Sequence, residues 1–237
     1  MDYRGHGEYT SDECVFKFKK GRPESMSSCC LCSNIASPQL NEIWNKPLLE
    51  SEHFVVLPSL GSLVEGWLLI VPKKHFLNMG AIPVEFMQEL QSVKLSVGHL
   101  LKAKYGSVCT FEHGPSKPNK KVGCSVDHAH LHMVPISFDL VQAAAAFMPQ
   151  DASWVDARPE SCRAAFGSGN DYLYVEQPIG CGRIAVHSGF GSQVLRKAIA
   201  AGIGKLDRSS WRDYPEIEVV ARTIQTLSSV CEGAVSL

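Results

Sequence analysis

In the first half of the chain, apolar residues come in short runs closed off by proline and glycine. His53 to Leu57 and Gly66 to Val71 are two such runs, and each reads as a strand. Pro83 then opens a helical stretch at its first position. Met87, Leu90, Val93, Val97 and Leu101 recur at helical spacing and mark one buried face, which ends near Tyr105 and Gly106. Ser107 to Phe111 is rich in β formers, Gly114 to Gly123 is a polar loop, and His128 to Val134 is a further strand stopped by Pro135. Residues 29–135 therefore predict strand, strand, helix, strand, loop, strand, an α+β meander with one long helix.

Past Pro149 the pattern thins. Tyr172 to Val175 and Arg183 to Val186 read as a strand pair around Gly180-Cys181-Gly182, and Ser192 to Ile203 and Glu216 to Leu227 read as helices. A polar, aromatic turn from Asp207 to Tyr214 separates those helices. Ala143 to Ala146 is a short helix former. At the other end, residues 1–24 carry the basic run Lys17 to Pro23 without periodicity and read as a solvated arm. The expected organisation is an arm over 1–24, a catalytic domain over 25–150 and an α/β extension over 151–237. The pattern leaves open whether that extension is a domain of its own.

Composition narrows the class. The chain has 237 residues, 45% hydrophobic and 20% charged, which is globular composition and excludes disordered and fibrous architectures. Lys and Arg total 23 against 24 Asp and Glu, so no basic footprint for duplex DNA or an anionic membrane is expected. No apolar run approaches the roughly 20 residues that span a bilayer. The polar start has no apolar core of a secretion signal, so a cytoplasmic location is expected. The nine cysteines are an odd, scattered set, which argues against a disulfide framework. One cluster stands out. Cys29 and Cys32 form a Cys-x-x-Cys, a spacing shared by zinc sites and redox pairs.

The stretch with chemistry in it is Gly123-Cys124-Ser125-Val126-Asp127-His128-Ala129-His130-Leu131-His132-Met133-Val134. On a strand, alternate residues share a face, with Cα atoms roughly 6.6–6.8 Å apart. His128, His130 and His132 then line one side while Ala129, Leu131 and Met133 pack behind. Three buried imidazoles each need a hydrogen-bond partner, so plain core is a costly explanation. Two functions suit such a row: an imidazole nucleophile acting on phosphorus, or a zinc enzyme with the three rings as ligands. The alternation alone does not choose between them.

The run His128-Ala129-His130-Leu131-His132-Met133-Val134 resembles the signature of the histidine-triad (HIT) family of nucleotide hydrolases and transferases. Gly123 and Ser125 stand where that family has the Gly and Ser of its phosphate loop. Leu69-Ile70-Val71-Pro72-Lys73-Lys74-His75 resembles the family's apolar strand ending in Pro-Lys-x-His, and Cys29-Cys30-Leu31-Cys32 resembles the Cys-x-x-Cys that opens many bacterial members. Phe111-Glu112-His113-Gly114 and Asp127 resemble the CwfJ-like branch of splicing- and debranching-associated proteins and their bacterial relatives.

The resemblance implies a HIT-like antiparallel sheet meander with a long helix. It implies a hydrolase that cleaves nucleotide conjugates at the α-phosphate through a covalent nucleotidyl-histidine and releases a nucleoside monophosphate. His130 is the implied nucleophile, with His132 and Ser125 as its catalytic partners. Gly123, Cys124, Ser125, His130 and His132 are the implied nucleotide contacts. The acidic residue that grips the ribose hydroxyls in many members falls on Ser59, whose hydroxyl bonds a sugar without a charge. Phe54, Val56 and Leu68 read first as plain core and second as candidates to line a base pocket. Zinc-bearing members imply a closed structural site of Cys29, Cys32, His75 and His128, a set with no position left for water.

The expected partner is a nucleotide-containing small molecule, with no membrane and no duplex DNA. A symmetric homodimer through the helix over Pro83 to Tyr105 is common in the family, and the long C-terminal third offers an alternative cover for that surface. Other readings stay in view: a nucleotidyltransferase or phosphorylase, a non-catalytic nucleotide- or RNA-binding module, and the three-histidine zinc enzyme. Arg196, Lys197 and the segment Asp207 to Arg212 are candidates to bear on the choice of leaving group, with solvated surface as the alternative and preferred reading of their charged residues.

Overall fold

A single sheet, antiparallel throughout, organises the computed structural model, which describes residues 29–36, 42–119 and 126–234. Its strands are β1 (Leu49–Glu50), β2 (Phe54–Pro58), β3 (Leu68–Pro72), β4 (Cys109–Gly114), β5 (Leu131–Val134), β6 (Val155–Ala157), β7 (Tyr172–Glu176) and β8 (Gly182–Val186). Across the sheet they run β1-β2-β3-β5-β4-β7-β8-β6. The helices are α1 (Cys30–Ala36), α2 (Met87–Tyr105), α3 (Leu140–Ala144), α4 (Pro159–Gly167), α5 (Val194–Gly202) and α6 (Ile217–Ala234). The architecture is α+β. The proposed arm over 1–24 lies outside the described residues.

The two-residue period of the strands divides the core into two layers. On one face Phe54, Val56, Leu68, Ile70, Leu131 and Met133 pack with Leu90, Val97 and Leu101 of α2. On the other, Cys109, Phe111, Val134, Leu173 and Val175 pack with α3 and with Leu195, Ala198 and Ile199 of α5. Next to that second layer, α1 sets Leu31 and Ile35 against Val55, Leu57 and Val71. Both faces of the sheet are covered, which explains why β2, β3 and β7 are buried along nearly their whole length.

Several boundaries differ from the sequence expectation, each for a local reason. The long helix starts at Met87, after a short 3₁₀ turn over Val84–Phe86, and Pro83 caps that turn. Strand β4 continues to Gly114 because β7 pairs along it, from Thr110↔Glu176 to Gly114↔Tyr172. Strand β5 begins at Leu131, three residues later than expected. Upstream, the His128 carbonyl accepts from the His130 ring and the Ala129 N–H donates to the Phe76 carbonyl, so this backbone is engaged away from the ladder. Helices α1 and α4 and strands β1 and β6 are short pieces whose patterns are too brief to show a period.

The β4–β7 pairing carries the sheet unbroken from the triad segment into the C-terminal third. A buried ion pair ties the same parts together. Lys94 of α2 meets Glu176 of β7 at 2.6 Å, and Glu176 also accepts from the Tyr174 hydroxyl and the Gly180 N–H. Removing one partner of such a pair leaves an uncompensated charge and costs about 3–5 kcal/mol. Four residues on, Gly98 lets Ile179 come so close that a Cβ there would stand 2.5 Å from its Cδ1. The Lys94–Gly98 side of α2 is thus covered by the chain's own β7–β8 turn. Among the described residues no helix is long and apolar enough to cross a membrane.

Candidate active site and metal centre

The segment leading into β5 distributes its three histidines between two places. His128 is fully buried, and its Nε2 lies 2.9 Å from the Pro72 carbonyl. A carbonyl only accepts, so Nε2 carries the proton and Nδ1 keeps a lone pair. That Nδ1 faces Cys29 Sγ and Cys32 Sγ, each at 3.4 Å, while His75 Nδ1 is 3.3 Å from Cys32 Sγ. The candidate ligand atoms of Cys29, Cys32, His75 and His128 all lie within 4.8 Å of one another. A tetrahedral zinc with sulfur at about 2.3 Å and nitrogen at about 2.0–2.1 Å sets S···N edges of about 3.5 Å, so the spacing and the donor set both suit that ion. Burial pushes the Cys29 thiol up to about 11 and the His128 ring down to about 4, which leaves a neutral His128 ready to share its lone pair.

His130 is wired in the opposite sense. Its Nδ1 lies 2.6 Å from the His128 carbonyl, so Nδ1 holds the proton and Nε2 keeps the lone pair. The ring lines a pocket on the α1/α5 face of the sheet. His132 follows on β5, buried and stacked on Phe111 with ring centroids 4.4 Å apart. Trp67 Nε1–H donates to His132 Nδ1 at 2.9 Å, which puts the His132 proton on Nε2. Burial holds that ring well below the ordinary histidine value, so it stays neutral at pH 7. The rings of His130 and His132 meet edge to face, with centroids 4.9 Å apart. One ring thus offers a lone pair, and its neighbour offers an N–H.

Three rings converging on one metal is not the arrangement seen. Among the described residues, potential ligands converge in two groups, the Cys29/Cys32/His75/His128 set and the surface trio Glu52/His53/Glu89, and neither includes His130 or His132.

Segments far apart in the chain wall the pocket. Cys30 and Leu31 of α1 and Ser59 and Leu60 after β2 stand on one flank. Phe111 and His113 of β4 stand on the other, with Gln193 and Leu195 at the start of α5. Trp211 closes over the turn between β2 and β3, where a Cβ on Gly61 would meet its Cβ at 2.6 Å. Arg196 locks this roof down. Its guanidinium donates to the Ser209, Gly61 and Arg208 carbonyls and lies over the Trp67 ring. Phe54, Val56 and Leu68 point to the opposite face, into the layer under α2. A strand that presents Leu57 on the α1 side must turn Val56 away from it, so these three do not line the pocket. Gly123, Cys124 and Ser125 lie outside the described residues. Asp127 accepts from the Asn119 N–H at 2.6 Å, joining the chain on either side of that loop.

The Phe111-Glu112-His113-Gly114 run splits its polar residues between faces. Glu112 turns toward α4, where it accepts from the Met79 N–H and the Tyr172 hydroxyl, and burial lifts its carboxyl to about 7. His113 turns toward the pocket and is held down to about 4 by burial. Sequence spacing does not single out Trp67 or Gln193, and it reaches Trp211 only as part of the segment Asp207 to Arg212. Their approach to the triad depends on contacts far apart in the chain, and no local spacing announces it.

Comparison with known proteins places these features in a family. The family described as "Protein similar to CwfJ C-terminal" matches residues 17–148. The adenosine 5'-monophosphoramidase HNT1 of Saccharomyces cerevisiae is 25% identical over 118 residues, spanning 49% of this chain and 68% of that protein. Among solved structures, a HIT family protein from Bacillus anthracis is 22% identical and aligns over 47% of this chain and 75% of its own, with a TM-score of 0.39. A HIT family member from Bacillus subtilis is 19% identical and aligns over 53% and 89%, with a TM-score of 0.40.

Proposed function

The chain belongs to the histidine-triad proteins, in the branch similar to the C-terminal region of CwfJ, and from that membership we propose that it hydrolyses nucleotide conjugates at the α-phosphate through His130. The observation that carries the reading is the 2.6 Å bond from His130 Nδ1 to the His128 carbonyl, which leaves the Nε2 lone pair on a ring that lines the pocket. A neutral imidazole with a fixed tautomer is a competent nucleophile at pH 7. The family relationship to an adenosine 5'-monophosphoramidase supports the same chemistry.

In this mechanism Nε2 of His130 attacks phosphorus and forms an N–P bond. The bond to the leaving group breaks, and the leaving group departs with the electron pair and takes a proton from solvent. Water then attacks the phosphorus and gives a proton back to solvent. The N–P pair returns to Nε2, and a nucleoside monophosphate is released. Through its Nε2–H, His132 donates to a non-bridging oxygen, aided by the Gly123–Ser125 loop and the Ser125 hydroxyl. A preorganised donor of this kind is worth about 2.7–4 kcal/mol in the transition state. Ser59, buried beside Leu60 on the α1 flank, bonds the ribose.

Zinc held by Cys29, Cys32, His75 and His128 has a structural role in this reading. These four residues would hold the ion and, leaving no position for water, it would brace α1 against the segment before β5. Its ligand His128 also carries the carbonyl that fixes the His130 tautomer.

Rapid quenching of the wild-type protein with adenosine 5′-phosphoramidate labelled at phosphorus tests the mechanism. The expected result is an acid-labile, base-stable phosphoramidate on His130. Turnover with no such adduct under burst conditions would refute the covalent route.

A further inference from the structure

The pocket has two ends, and the strand order separates them. β5, which carries His132, lies between β3 and β4. Leu31, Ser59 and Leu60 wall the β3 side, whereas His113, Gln193 and Leu195 wall the β4 side. A phosphorus seated over His130 therefore directs one substituent to each flank. With the nucleoside on the Ser59 flank, as the reading above has it, the leaving group falls on the flank built by β4 and the C-terminal third.

Polar groups on that second flank are left unmet. Both ring nitrogens of His113 are shut off from solvent and have no hydrogen-bond partner among the described residues, and the same holds for Oε1 of Gln193. Buried polar atoms are rarely left so without a reason, and a ligand is one such reason. Burial keeps the His113 ring neutral, so it offers one N–H and one lone pair. Around these atoms stand Phe111, Leu195 and Phe190, whose ring meets His113 edge to face at 5.9 Å. Arg196 is the one charged side chain among the described lining residues, and its guanidinium is engaged by three backbone carbonyls. A phosphate chain would find little to neutralise it there.

We propose that His113 and Gln193 form a leaving-group subsite for an uncharged organic group that presents a donor and an acceptor side by side on an apolar body, as a primary carboxamide does, in preference to a phosphate chain. This proposal rests on the nucleotide-conjugate reading. It gives the C-terminal third a chemical task, the choice of what is cut away from the nucleotide.

The test compares kcat/KM for AMP amidates of 3-(aminomethyl)benzamide and of benzylamine, with diadenosine tetraphosphate as the charged alternative. Wild type is expected to favour the carboxamide amidate by about tenfold over both others, since a site with unmet polar atoms discriminates against a ligand that leaves them unmet. His113→Phe and Gln193→Leu should each lower kcat/KM for the carboxamide amidate about fivefold more than for the benzylamine amidate. Free 3-(aminomethyl)benzamide should inhibit wild type more tightly than benzylamine, a comparison that needs no variant. Equal losses on the two amidates, no preference between the two inhibitors, or a preference for diadenosine tetraphosphate each overturn the subsite. If wild type releases AMP from none of these compounds, the nucleotide-conjugate reading fails first and the subsite falls with it. If wild type turns over the amidates without discrimination, the subsite alone fails.

Discussion

His128 and His130 stand two residues apart on the segment leading into β5, with their rings wired in opposite senses. His128 gives its Nε2–H to the Pro72 carbonyl and turns Nδ1 toward two sulfurs. His130 gives its Nδ1–H to the His128 carbonyl and keeps Nε2 for the pocket. The first ring can share its lone pair only with what sits among the cysteines, the second only with what enters the pocket. The difference teaches that an imidazole's task follows from which nitrogen finds a carbonyl, since that bond fixes where the lone pair points.

The largest expected effects are a pair of opposite outcomes that would separate the two rings. His130→Gly should lower turnover by roughly 10⁴-fold or more while leaving zinc bound, because it removes a nucleophile and none of the four metal ligands. Cys29→Ser should do the reverse, losing bound zinc and about 3 kcal/mol or more of stability while the molecules that remain folded still turn over. Metal analysis, chemical denaturation and steady-state rates on both variants decide it. Less than one zinc per wild-type chain, with Cys29→Ser as stable as wild type, removes the metal half of the comparison.

A smaller effect sharpens the role of His132. Trp67→Phe deletes the N–H that fixes the His132 tautomer at 2.9 Å. Without it the ring is free to move its proton to Nδ1 and lose its donor toward phosphorus. The expected fall in kcat is about 10- to 100-fold with KM little changed. An unaltered kcat would mean that His132 does not act through Nε2–H.

The smallest effect concerns a buried ring that belongs to neither pair. His113 is held down to about 4, against 6.5 for an ordinary histidine, so the folded protein refuses a proton that the unfolded chain accepts. Its contribution to stability is intact above pH 6.5 and is lost as pH falls from 6.5 toward 4. Between pH 7.5 and pH 5, wild type should lose about 1–2 kcal/mol more than His113→Phe in chemical denaturation. An equal pH dependence in both proteins would show that burial does not hold down the His113 ring.

Much of this protein is written locally in its chain. The period of two in His128 to Met133 put the histidines on one side and Ala129, Leu131 and Met133 in the core, where they lie. The spacing at Met87, Leu90, Val97 and Leu101 announced α2, and the Gly180-Cys181-Gly182 turn announced the β7–β8 pair. The family resemblance also implies Cys29, Cys32, His75 and His128 as a group, and their ligand atoms lie together. Such features depend on residues a few positions apart, and steric and hydrogen-bonding rules act directly at that range. What only the tertiary structure decided lies at long range: β7 closing on β4, Arg196 fastening a roof over Trp67, Trp67 reaching His132, and His113 losing its partners as that wall forms. Each needs two segments brought together by burying apolar faces, and the hydrophobic effect that does so is non-directional. It specifies that faces will meet, while the packing of one particular sheet decides which polar atoms are left facing each other across the pocket.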